Sequence, residues 1–137
     1  MAVVLKKMWK GERGASLLEM IIVIILLGVA LPAFLSIISG AARRSMQNDM
    51  LGQAVTLAEQ KMEEIIAFKE ANWDWYKNPS ALNKVETLAD GYKRTVTVTE
   101  VNNWGSINAT AWEVTVKVEH SALPNGYKLV TRLTKYH

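Results

Sequence analysis

The chain has 137 residues, enough for one domain with an attached segment. Its formal net charge of +3 comes entirely from the first 14 residues, because residues 15–137 carry twelve of the 16 basic and twelve of the 13 acidic side chains. A neutral remainder does not favour nucleic acid as a partner, and the absence of cysteine excludes disulfides, thiolate metal sites and thiol nucleophiles.

A short basic leader precedes a long apolar run. The leader is MAVVLKKMWKGERG, residues 1–14, and the run from Met20 to Ala42 has 23 residues without a charge. Such a run spans roughly 34 Å as a helix, which exceeds the roughly 30 Å of bilayer hydrocarbon. Because basic residues beside a span tend to stay in the cytoplasm, we expect the carboxy-terminal region outside the cytoplasmic membrane. Arg43 and Arg44 follow the run and oppose this orientation weakly.

Glu19 stands beside the apolar run, where an isolated carboxylate is unfavourable. One interpretation places its carboxylate in water at the membrane interface. The other interpretation gives it a cationic partner, which forms only if the chain is cut after Gly14. Ala15 would then carry a new α-amine four residues before Glu19, and opposite charges offset much of each other's desolvation.

The segment Gly14-Ala15-Ser16-Leu17-Leu18-Glu19 resembles the cleavage motif of the type IV prepilins, a family that includes the type II secretion pseudopilins. The resemblance consists of the basic leader, the glycine before the cut, the glutamate fifth in the mature chain and the unbroken apolar run, and it covers roughly residues 1–42. Gly28 also stands where many pilins have glycine. The chain departs from the common pattern at Ala15, where phenylalanine is usual, and at Pro32, which is earlier than the family's usual proline.

The resemblance implies a structural subunit, either a minor pilin or a pseudopilin, of a type IV pilus or of a secretion or competence pseudopilus. A prepilin peptidase would cut after Gly14 and methylate the amine of Ala15, and Glu19 would pair with that amine in its own chain or in a neighbour. The implied partners are this peptidase, other pilin or pseudopilin subunits and the cytoplasmic membrane. The implied division of the chain is a leader at 1–14, a transmembrane and filament-core helix at 15–42, and a globular head at 43–137.

Three other interpretations stay open. A secretory signal peptide would use Ser39-Gly40-Ala41 as a small-residue cleavage site, but the unbroken apolar run of 16 residues from Met20 to Leu35 is longer than the usual 7 to 15. An uncleaved membrane anchor is the second. The third is a membrane-tethered binding module that never polymerises, with its contact residues in the aromatic cluster Trp73, Trp75 and Tyr76.

The apolar periodicity predicts an α+β fold in which a long amino-terminal helix, first transmembrane and then amphipathic, packs on a small three-stranded antiparallel sheet. The helix should run from Ala15 to about Lys69, roughly 80 Å, with a kink or local unwinding near Gly28 to Pro32. One apolar stripe marks its second half, formed by Leu51, Val55, Ala58, Met62 and Ile65.

Residues 70–91 read as a connecting loop with short helical turns, and the aromatic cluster there is either a lid over the core or a contact surface. Alternating residues predict strands at 92–101, 111–119 and 127–136, with a hairpin turn at Pro124-Asn125-Gly126 between the last two.

Catalytic chemistry has no support in the sequence. His120 and His137 lack a nucleophile or carboxylate at a motif spacing, and there is no glycine-rich phosphate loop. Asp49, Asp74 and Asp90 are too far apart for a calcium loop. We therefore expect no enzymatic activity, no metal and no cofactor.

Overall fold

The computed structural model describes the backbone of residues 12–135 and the side chains of residues 16–135. Most of the predicted leader, residues 1–11, and His137 lie outside the described residues. Helix α1 spans Glu12–Ala71, and the strands are β1 (Lys84–Thr87), β2 (Lys93–Trp104), β3 (Ala109–His120) and β4 (Leu123–Thr134). The chain divides into two compact units between Arg44 and Ser45.

The amino-terminal unit is a single helical segment of α1. Of the kink or local unwinding predicted near Gly28 to Pro32, the unwinding is wrong, because α1 continues through Pro32 without interruption, and the kink stays a prediction. The proline ring removes one backbone donor, but the hydrogen bonds of the adjacent turns are enough to keep the chain helical. Nearly every described side chain from Ser16 to Arg44 is exposed.

The carboxy-terminal unit packs the rest of α1 on an antiparallel sheet with the strand order β1-β2-β3-β4. The α+β class and the long helix are confirmed, but the prediction of three strands is wrong. The additional strand β1 lies inside the segment expected to be a loop and pairs with β2 in the register Val85↔Thr95. It has only four residues, three of them exposed, so it shows no apolar alternation that a sequence could reveal.

The β3–β4 hairpin turns earlier than predicted. His120 pairs with Leu123, so the turn is Ser121-Ala122, and the predicted turn residues 124–126 lie within β4. The register shifts beside Val118, and Gly126 there adopts a φ of +59°. The glycine and proline that suggested a turn therefore belong to an irregularity in an edge strand.

The core lies between one face of α1 and the inner face of the sheet. Ala58, Met62 and Ile65 are buried as predicted, but Leu51 is exposed and Ala54 takes its place. The two alanines are small enough to let the helix approach the sheet closely. The opposing residues come from all three long strands and the connecting segment, and they are Trp75, Tyr92, Val96, Trp112, Val114, Val116, Val118 and Leu133.

Candidate functional site

The predicted processing site lies on the first turns of α1. Gly14 and Ala15 have helical backbone, and the Glu19 side chain is exposed. Residues four apart on a helix lie on the same side, about one turn from each other. An amine at Ala15 would therefore arise beside Glu19, on the same face of the helix.

The apolar segment that follows is uncovered along its length. Ile24 and Val29 are 67% and 72% exposed, and the described chain contains one helix long and apolar enough to cross a membrane, with none of its apolar window buried. Exposed apolar surface is unfavourable in water by about 25 cal/mol per Å². This segment is compatible with a single-pass membrane protein.

A charged cluster joins α1 to the sheet in the carboxy-terminal unit. Glu86 of β1 accepts hydrogen bonds from Arg94 Nη2 at 2.6 Å and Nε at 2.9 Å, and its other oxygen lies 2.8 Å from Lys84 Nζ and 3.8 Å from Lys61 Nζ. Arg94 also donates to the Leu57 carbonyl of α1 at 3.1 Å. Arg94 and Lys61 are buried, so this cluster fixes β1 and β2 on the helix.

The surrounding cations change the acidity of Glu86. Hydrogen bonds from Lys84 and Arg94 lower the pKa of its carboxyl from 4.5 to about 2. The group therefore stays ionised at neutral pH with its partners already bound. It has the contacts of a structural ion pair, and the cluster includes no nucleophile beside a base.

The three predicted aromatic residues have different surroundings. Trp75 is only 5% exposed and packs edge to face against Trp112, with the ring centroids 5.1 Å apart. Tyr76 lies 6.0 Å from the same ring, and Lys135 stands over Tyr76 at 4.8 Å. Trp73 is 62% exposed. Trp75 thus belongs to the core, as the lid interpretation requires, while Trp73 presents its ring to solvent.

An open groove of about 900 Å³ lies between α1 and the turn before β2. Asp49, Gly52 and Thr56 line it on the helix side, and Asp90 and Tyr92 line it on the other. The Tyr92 hydroxyl is 3.0 Å from Gln53 Oε1 and 3.2 Å from the Met50 carbonyl oxygen, which ties the two walls together. This groove could not be predicted from local patterns, because its two sides are about 40 residues apart in the chain.

His120 supports the turn that forms one wall of the groove. Its Nδ1 accepts a hydrogen bond from the Ala122 amide at 3.1 Å, so Nε2 carries the proton and donates to the Asp90 carbonyl at 2.9 Å. This bond holds Asp90 at a left-handed φ of 60°. His120 therefore has structural partners, and among residues 16–135 no three acidic or histidine side chains gather as metal ligands.

No protein-family model, curated protein or solved structure matches the chain significantly.

Proposed function

We propose that the chain is a structural subunit, either a minor pilin or a pseudopilin, of a type IV pilus or of a type II secretion or competence pseudopilus. The observation that carries the proposal is the uncovered apolar part of α1, preceded by Gly14 and Glu19 at the spacing of a prepilin cleavage motif. Its short length and lack of cysteine favour a minor subunit or pseudopilin.

The proposed mechanism is assembly through the amino-terminal helix. A peptidase cuts after Gly14, the amine of Ala15 pairs with Glu19, and the apolar segment passes from lipid into a bundle of helices from neighbouring copies. Because lipid and a helix bundle are both apolar, this transfer does not require exposure of the whole segment to water. An unpaired Glu19 in the bundle would be unfavourable, so the pair favours one register.

The mass of the mature chain tests the processing step. We expect the loss of residues 1–14 and the gain of one methyl group on Ala15. Gly14→Leu should abolish the cut, because the peptidase must accommodate a side chain where none existed. A mature chain that begins at Met1, or at Ala42, would refute the proposal.

Glu19→Gln separates assembly from processing. The cut should persist, while incorporation into filaments should fall about tenfold, since the amine loses a partner worth on the order of 1.5 kcal/mol. Leu17→Gln is the matched control, because it introduces the same amide two residues away, on the opposite side of the helix, without removing a charge. Normal incorporation of Glu19→Gln would refute the pairing of Glu19.

The exposure of Trp73 favours a second candidate, a membrane-tethered binding module that does not polymerise. In that case Trp73 and the neighbouring Tyr76 would contact a ligand or another protein. The chain has no native cysteine, so Ile24→Cys in the exposed apolar segment gives an unambiguous crosslink between copies. With one cysteine per chain each copy can join only one other, so dimers formed with a flexible bifunctional thiol reagent support side-by-side packing of the apolar helices in a filament, and their absence in intact membranes supports the binding module.

A further inference from the structure

The floor of the groove between α1 and Asp90 has a glycine that the chain itself does not require. A Cβ added to Gly52 would meet no atom within 4 Å. Glycine is also among the least favourable residues in a helix interior. Gly52 therefore leaves space on the helix face that no part of the described chain uses.

Two carboxylates stand at this space without a cation. Asp49 and Asp90 line the groove on opposite walls. Within residues 16–135 neither carboxylate takes part in an ion pair or side-chain hydrogen bond of the same chain, whereas Glu86 and Glu113 in the same unit do. A protein segment that fills the groove and carries positive charge would complement both the shape of the groove and its negative electrostatic potential.

Arg43 and Arg44 supply such a charge at the end of the apolar segment. Both are exposed, and the described chain offers neither an ion-pair partner. With the head outside the cytoplasm, they stand on the side of the membrane where the positive-inside tendency disfavours cations. Their presence there points to a role other than orientation. A guanidinium group also presents several donors in a fork that suits a carboxylate.

We propose that the groove receives α1 of a second copy around Arg43 and Arg44, whose guanidinium groups pair with Asp49 and Asp90. This inference rests on the proposed function, because it describes a contact between assembled copies. In a filament the contact is heterologous, with the arginines of each copy in the groove of the next, and such contacts propagate without closing. The charge pairs reinforce the register that the pairing of Glu19 with the amine of Ala15 favours.

Crosslinking between two differently tagged copies tests the contact directly. One copy carries Arg44→Cys and the other Asp49→Cys, and a short bifunctional thiol reagent joins them, because an arginine and its carboxylate partner hold their Cα atoms further apart than the roughly 7 Å that a direct disulfide allows. We expect a mixed crosslinked dimer from this pair. Arg44→Cys with Glu70→Cys is the matched control, because Glu70 is an exposed acid on the same helix and does not line the groove.

A parallel experiment with Ile24→Cys copies distinguishes the groove contact from the proposal of a filament subunit. If Ile24→Cys copies crosslink but the Arg44→Cys and Asp49→Cys pair gives no more dimer than the control, the groove contact is refuted and the filament proposal stands. If Ile24→Cys copies also fail, both are refuted. A crosslink from Asp49→Cys to a different protein, without one to Arg44→Cys, would assign the groove to that partner and overturn the inference.

Exchange of the charges between the groove and the arginines provides an independent test, in which crosslinking through Ile24→Cys is measured. Asp49→Arg with Asp90→Asn should lower crosslinking about tenfold, as should Arg43→Asp with Arg44→Asp. Asparagine is chosen at position 90 because it tolerates the left-handed backbone there. The chain with all four changes should recover most of the crosslinking. If its crosslinking instead falls by the product of the losses in the two double variants, the pairing is refuted.

Gly52→Leu distinguishes a docking role from a structural one. The added Cβ meets no atom of its own chain within 4 Å, and leucine is more favourable than glycine in a helix interior, so the melting temperature should not fall. Crosslinking through Ile24→Cys should nevertheless fall about tenfold, because the second copy is displaced. Unchanged crosslinking with a folded head would refute docking in this groove.

Discussion

Among single residues, Glu86 joins α1 and two strands through one carboxylate. Because the pKa of its carboxyl is lowered, the free energy of unfolding of the head depends on pH in the acidic range. The folded-state value of about 2 lies below the ordinary 4.5, so protonation favours the unfolded chain. The stabilisation is therefore complete above about pH 4.5 and is lost as the pH falls toward 2. Allowing for solvent screening, we expect about 1–2 kcal/mol to disappear in this window, measured by urea denaturation of the head.

Glu86→Gln should remove that acid dependence and destabilise the head at neutral pH by about 2–4 kcal/mol, because Arg94 stays buried without its carboxylate, while Lys61 keeps Glu64 at 2.8 Å. Glu119→Gln is the matched control. Its carboxylate also contacts a lysine, Lys117 at 2.6 Å, but both side chains are nearly half exposed, so this change should leave the stability of the head almost unaltered. Equal effects of the two variants would contradict the assignment of stability to the buried cluster.

The residues of this cluster were not recognisable from the sequence. Lys61, Glu86 and Arg94 belong to three elements and have no motif spacing, so only the packing of β1 and β2 on α1 brings them together. Gly14 and Glu19 are different, because their separation along one helix is itself the signal. Local spacing thus indicated the candidate processing site. The polar contacts between distant residues could be recognised only in the folded structure.

At the scale of elements, the β3–β4 hairpin depends on the conformation of Gly126. A Cβ added there would lie 2.6 Å from the Val118 carbonyl oxygen, in addition to the strain of a φ of +59°. Gly126→Ala should destabilise the head by about 2–3 kcal/mol, measured by thermal or urea unfolding. Gly105 provides a control with a similar φ of +74° but no atom within 4 Å.

Gly105→Ala should therefore destabilise the head by only about 1 kcal/mol, the contribution of the backbone conformation alone. If the two alanine variants unfold alike, the close approach of Gly126 to β3 is not a determinant of stability.

The elements differ in how far the sequence could predict them. The helix and the three long strands have strong apolar periods and were found, although the stripe on α1 begins at Ala54 where Leu51 was expected. Pro124 and Gly126 were taken as a turn because both residues break regular structure, but an edge strand tolerates a proline and a bulge. Strand β1 is held by its pairing with β2 and by Glu86, and both are tertiary effects that leave no local pattern.

For the whole molecule, the division between Arg44 and Ser45 separates two kinds of surface. All buried hydrophobic residues of the described chain come after Ser45, while no described side chain of residues 16–44 is buried. The carboxy-terminal unit therefore has a complete core of its own. The described part of the amino-terminal unit has none, and lipid or other apolar helices are the surroundings that would stabilise its apolar side chains.

This separation predicts that residues 45–137 fold alone. The truncated chain should be soluble and monomeric and should unfold in a single cooperative transition, with a melting temperature within a few degrees of that of the full chain in detergent. Sedimentation and calorimetry measure both properties. Residues 66–137 are the matched control, because they keep the sheet but lose Ala54, Ala58, Met62 and Ile65, and they should not fold. A chain of residues 45–137 that aggregates or unfolds without cooperativity would show that the apolar segment contributes to the fold of the head as well as to its placement.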